Sequence, residues 1–82
     1  MIKLYGITDS KGVYFNVEGT PEEMYLIECE ENNGIMYVSF MQAREEVEWI
    51  NTKYRKGKLK SNHLTMPVIV KEIEWGEMIW NM

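Results

Sequence analysis

The side chains best suited to chemistry in this 82-residue chain lie in Lys53-Tyr54-Arg55-Lys56-Gly57-Lys58-Leu59-Lys60, five cations in eight residues, with His63 close behind. Such a run can grip the phosphates of a nucleic acid or a phosphorylated ligand by displacing counterions, without reading bases. The same residues have a plainer use, because cations suit the end of a helix and the wet loop beyond it. An acidic overall balance and the lack of an aromatic strand motif of the RNA-binding kind favour that plainer use. Opposite in sign is the stretch 18–48, where nine Glu stand against the single Arg44. Glu28, Glu30 and Glu31, with Glu45 beyond them, form an array that can imitate phosphate spacing and occupy another protein's nucleic-acid channel.

Catalysis finds little to work with. One His, one Asp and one Cys are present, far apart in sequence. A Ser–His–Asp arrangement would have to use Asp9 and His63, and nothing around either suggests it. Cys29 lies among Glu28, Glu30 and Glu31, whose charge raises a thiol pKa, so it is a poor nucleophile and reads as a small core residue. There is no Cys or His pair at metal-ligand spacing, no aspartate-rich calcium loop and no glycine-rich phosphate loop. No catalytic residue, metal or cofactor is expected.

These side chains must be held by elements, and the clearest is a helix over 39–56. Ser39 stands at the N-cap with Gln42 three residues on, a reciprocal capping pair. Phe40, Ala43, Val47, Ile50 and Tyr54 recur at spacings of three and four and stack on one face. Glu45, Glu46 and Glu48 precede Lys53, Arg55 and Lys56, an order that suits the helix dipole, and Gly57 can turn left-handed to end it. Trp49 falls roughly 140° from the centre of the apolar stripe, at about 100° per residue. An indole pointing away from its own core needs a cover: the tail residues Trp75, Ile79 or Trp80, a dimer mate, or a partner protein.

Residues 2–8 and 13–17 read as strands joined at Asp9-Ser10-Lys11-Gly12 into a hairpin. Thr20-Pro21 with Glu23 resembles a helix start, yet Tyr25, Ile27 and Cys29 alternate as a strand would. The favoured reading is a helical turn at 21–23, then a second hairpin pairing 24–30 with 35–38 across Asn32-Asn33-Gly34. Lys58 to His63 reads as a basic loop, and Val68 to Trp75 as the last strand; proline cannot donate to a ladder, so Pro67 marks that strand's start or an edge position.

The expected fold is therefore α+β: one domain over 1–82, a small antiparallel sheet of four to five strands in the order β-β-β-β-α-β, and one amphipathic helix across one face. A single cysteine excludes an intrachain disulfide, no signal-type apolar run opens the chain, and no stretch approaches the ~20 apolar residues of a membrane span. A cytoplasmic protein without membrane contact is expected. The formal charge of −4 conceals strong segregation: −8 over 18–48 and +6 over 49–71. Seven Met and three Trp add adaptable and hot-spot side chains, or simply apolar bulk for a small core.

In length, acidity and single-domain economy the chain is similar to small phage or prophage accessory proteins, a likeness of texture that assigns no residue a role. The leading expectation is a non-enzymatic protein-binding module, of the type that inhibits a host nucleic-acid enzyme or defence system, acting through Glu28, Glu30, Glu31, Glu45 and Trp49. Its partner would be a host enzyme or a second copy of the chain as a homodimer. The rival is a nucleic-acid or phosphorylated-ligand binder using Lys53, Arg55, Lys56, Lys58, Lys60 and His63. A small dimeric enzyme, with acid and base among Glu, Tyr and His63, ranks last.

Overall fold

A computed structural model describes residues 3–61 and 63–74. Six strands and one α-helix follow in the order β1 (Lys3–Thr8), β2 (Phe15–Thr20), β3 (Glu23–Glu28), β4 (Met36–Tyr37), α1 (Phe40–Arg55), β5 (Leu59–Ser61) and β6 (Ile69–Glu74), with a 3-10 turn at Glu31–Asn33. The α+β class holds, but the described residues form six strands, divided into two three-stranded sheets ordered β4-β1-β6 and β2-β3-β5. The tail cover foreseen for Trp49, and the end of the last strand at Trp75, fall outside the described residues.

Neither expected hairpin forms as read. β1 and β2 share a single bridge, Thr8 to Tyr14, before the chain crosses to the second sheet. The cause is Asp9. Its Oδ1 accepts the N–H groups of Lys11 (2.9 Å) and Val13 (2.8 Å), and its Oδ2 accepts that of Thr65 (2.8 Å). The turn thereby becomes a corner strapped to the segment before β6, with Ser10 donating to the Pro67 carbonyl at 2.6 Å as a second strap. The true hairpin is β2–β3, in register from Phe15–Glu28 to Thr20–Glu23. Pro21 and Glu22 make its turn, where proline's fixed φ suits the first central position, so the expected helical turn at 21–23 is absent. β4 pairs with β1 instead of β3, Tyr5 opposite Tyr37. The expected basic loop contains β5, which runs parallel to β3 with Leu59 opposite Met24.

The helix ends as its sequence demands. Ser39 Oγ accepts the Gln42 N–H at 3.4 Å, one half of the expected capping pair, while the return bond from the Gln42 side chain to the Ser39 N–H is not among the hydrogen bonds of the described residues. At the other end Gly57 (φ 73°) donates to Tyr54 O and Lys58 to Lys53 O, the paired bonds of a Schellman stop. Its buried line is narrower than the expected stripe: Ala43 and Ile50 are buried and Val47 partly so, whereas Phe40 and Tyr54 are exposed. Phe40 stands edge-on to Tyr5 of β1, with ring centroids 5.6 Å apart. The helix packs on β1, β4 and β6 of one sheet and β5 of the other.

The core gathers where the sheets and helix meet: Ile7, Phe15, Leu26, Ile50, Leu59 and Val68. Each large side chain there contributes about 1.5–3 kcal/mol by leaving water. Asn51 locks α1 to the residue that precedes β6, its amide donating to Val68 O (3.1 Å) and accepting from Val68 N–H (2.9 Å). Among the described residues no helix is long and apolar enough to cross a membrane.

Candidate functional site

Two hollows gather the side chains singled out by sequence, and they lie on different parts of the fold. The first follows β3. Tyr25 and Ile27, two residues apart, point to the same side of the strand, and each is 44% exposed. With Glu23, Glu28, Lys60 and His63 they line a hollow of about 660 Å³. Lys60 lies opposite Tyr25 across the parallel β3–β5 pair. Pairing with β5 stops at Leu26, since β5 is only three residues long. Glu30 and Glu31 follow just past the end of β3, both exposed.

The second hollow, about 460 Å³, lies beside α1 and is lined by Tyr37, Gln42, Glu45, Glu46 and Trp49. Its four helical residues stand at i, i+3, i+4 and i+7, a single face of the helix. Tyr37, on β4 just before the helix, closes the other side and donates to Glu46 Oε2 at 3.3 Å. Burial first, then the Glu46 charge and this bond, push the Tyr37 phenol up, so it remains a donor at neutral pH. Trp49 is 40% exposed. Val17, Pro21 and Met24 of the β2–β3 hairpin line a neighbouring hollow with it. Lys53 Nζ stands 5.8 Å from the centre of the indole ring on that hairpin side.

Glu45 and Trp49 are thus brought together, while Glu28, Glu30 and Glu31 are at the far end of β3 from the hairpin turn that borders Trp49. The basic residues disperse. Lys53 is at the indole, Arg55 donates to Thr52 Oγ1 and borders Met66 and Pro67, Lys56 and Lys58 are exposed at the helix end, and Lys60 with His63 joins the β3 hollow. Tyr37, Gln42 and Glu46 were missed by the sequence reading. The signal for Gln42, Glu45 and Glu46 is their spacing of seven, four and three residues from Trp49 on the helix.

Cys29 is half-buried, and burial, then Glu28 and Glu30, raise its thiol pKa. Tyr14 packs its ring over Gly6 and Gly34, and its buried hydroxyl has no hydrogen-bond partner among the described residues. Among the described residues no group of three His, Cys, Asp or Glu side chains is placed to hold a metal ion. No protein family model, curated protein or solved structure matches this chain.

Proposed function

We propose that this chain is a non-catalytic protein-binding module that docks its partner on the outward face of the β2–β3–β5 sheet. The observation that carries this reading is the pair Tyr25 and Ile27, neighbours on one strand face and each 44% exposed. Large apolar side chains left adjacent in water are the usual core of a docking patch, and tyrosine is enriched among the residues that dominate binding energy. Around them Glu23 and Glu28 line the hollow, and Glu30 and Glu31 extend the acidic edge past the strand. A basic protein surface complements that rim, and the nucleic-acid groove of an enzyme is one such surface, so inhibition of a nucleic-acid enzyme fits this chemistry.

The test is capture of a partner by the tagged chain and by two variants, Tyr25→Ser/Ile27→Ser and Glu28→Lys/Glu30→Lys. All four positions are exposed or rim the sheet, so thermal melting should hardly move. The reading expects both variants to lose the partner that the natural chain retains. Retention of the same partner by both, with melting unchanged, refutes it.

A second reading rests on Lys60 standing opposite Tyr25 with His63 nearby, a cation and an aromatic ring on one strand face. Stacking and phosphate contact of that kind suit a single-stranded nucleic acid. Glu18, which pairs with Tyr25 on the other side, and Glu23 weigh against it. Oligonucleotide binding that weakens steeply with added salt and is lost in Lys60→Glu would favour this reading over the first.

A further inference from the structure

We infer that the hollow between α1 and β4 receives an arginine side chain presented by a protein partner, its guanidinium stacked on Trp49 and forked to Glu45 and Glu46. Adjacent glutamates on a helix are ordinarily just solvated. Here they border a hollow that Tyr37, Trp49 and the Gln42 amide complete, and the indole already holds a cation. Lys53 Nζ lies 5.8 Å from the indole centre, on the side facing the hairpin. Lys53 does not line the hollow that holds the glutamates, so Trp49 serves as a wall shared by two spaces.

The charge in that second space is uncompensated. Among the described residues the ion pairs are Lys3–Glu72 and Arg44–Glu48, and neither Glu45 nor Glu46 takes part. The Tyr37 hydroxyl fixes one Glu46 oxygen and leaves the other to accept. An anion would be repelled, and a metal ion would find two carboxylates with no third His, Cys, Asp or Glu placed beside them among the described residues. A cation with a flat, weakly hydrated face fits best: it can lie on the indole while its edge donates to carboxylates. Arginine combines both properties, whereas the lysine ammonium is a compact and strongly hydrated point charge. This site is separate from the Tyr25–Ile27 face and does not depend on the docking proposed there.

The test uses the full chain labelled with 15N, following the Trp49 indole N–H signal, assigned by its loss in Trp49→Phe. The probe is a capped Gly-Arg-Gly peptide, compared with its citrulline and lysine counterparts and with free arginine. The arginine peptide should shift the signal and saturate in the millimolar range expected for one exposed cation site, roughly tenfold more tightly than citrulline. Glu45→Gln/Glu46→Gln should weaken it roughly fivefold, and Lys53→Gln, which removes a neighbouring like charge, should strengthen it about twofold. Equal responses to arginine and citrulline, unchanged binding in the double glutamine variant, or no shift at about 100 mM peptide each overturn the inference. Free arginine binding tenfold more tightly than the peptide would make the hollow a small-molecule site and overturn the protein source. A silent Trp49 signal, in a chain whose Tyr25→Ser/Ile27→Ser variant still loses its partner, defeats this inference alone.

Discussion

Replacing Asp9 by asparagine should destabilise this protein more than almost any other single polar substitution. The side chain is 1% exposed and holds three backbone N–H groups at 2.8–2.9 Å. Asparagine keeps the shape but offers one acceptor oxygen in place of two. If that oxygen serves Lys11 and Val13, the new NH2 group faces the Thr65 N–H, donor against donor. One hydrogen bond to a charged group is worth about 1.5–3 kcal/mol, and losing the charge weakens the other two, so a cost of about 3 kcal/mol follows. A chain of this size holds roughly 4–12 kcal/mol in all, so the variant should fold but melt roughly 12–24 °C lower.

The pH dependence supplies a second signature. Burial alone would raise the carboxyl pKa, but the N–H groups of Thr65, Val13, Lys11 and Gly12 outweigh it and hold the group below its ordinary 3.8. A depressed folded pKa stabilises fully above the unfolded value, and that share is lost as pH falls through the folded value. The gap between the natural chain and Asp9→Asn should therefore be widest at neutral pH and shrink below about pH 4. Melting followed by circular dichroism at pH 7, 5 and 3 measures both effects. A variant that melts within two or three degrees of the natural chain, with a gap indifferent to pH, refutes the role given to this carboxylate.

Other expectations can be checked by the same melts. Asn51→Ala removes both bonds to Val68 and leaves a buried N–H and C=O without partners, for a loss of about 2–3 kcal/mol. Gly34→Ala would bring a Cβ to 2.8 Å from the Tyr14 ring, so repacking there should cost about 1–3 kcal/mol and shift the Tyr14 ring signals in an NMR spectrum. Gly57→Ala meets no atom within 4 Å, so its loss of about 1 kcal/mol should come from backbone conformation alone, and Gly57→Asn should recover part of it.

What could be read from sequence was local. The helix was legible at both ends because a cap and a left-handed glycine act within a turn of the residues that they satisfy, as Ser39 and Gly57 do. Strand pairing was not legible, because its determinants are distant. Asp9 looked like a hairpin turn residue, but its second oxygen binds Thr65, fifty-six positions away, and that strap turns a hairpin into a corner. Thr20-Pro21 carried two meanings, helix start and tight turn, and the β2–β3 ladder decided between them. β5 was hidden inside a basic run, since a three-residue strand with one buried side chain, Leu59, has no period to detect. The candidate site was half legible. Trp49 and Glu45 stood out by type and place, whereas Tyr37 joins them only through the pairing of β4 with β1.

The partition of strands between the sheets sets a timetable for synthesis. β1, the first described strand, takes its long neighbour from β6, the last, with Lys3 facing Glu74 across the ladder. On the ribosome β2 and β3 can zip as soon as both have emerged, but β1 waits through some sixty residues of translation for its mate. Closure at such sequence separation is slow, roughly milliseconds to seconds, and it cannot be complete while residue 74 is still in the exit tunnel. Until β6 emerges, the edge of β1 that it covers is open to whatever else is nearby, so a nascent chain stalled short of β6 is the form of this protein most exposed to mispairing.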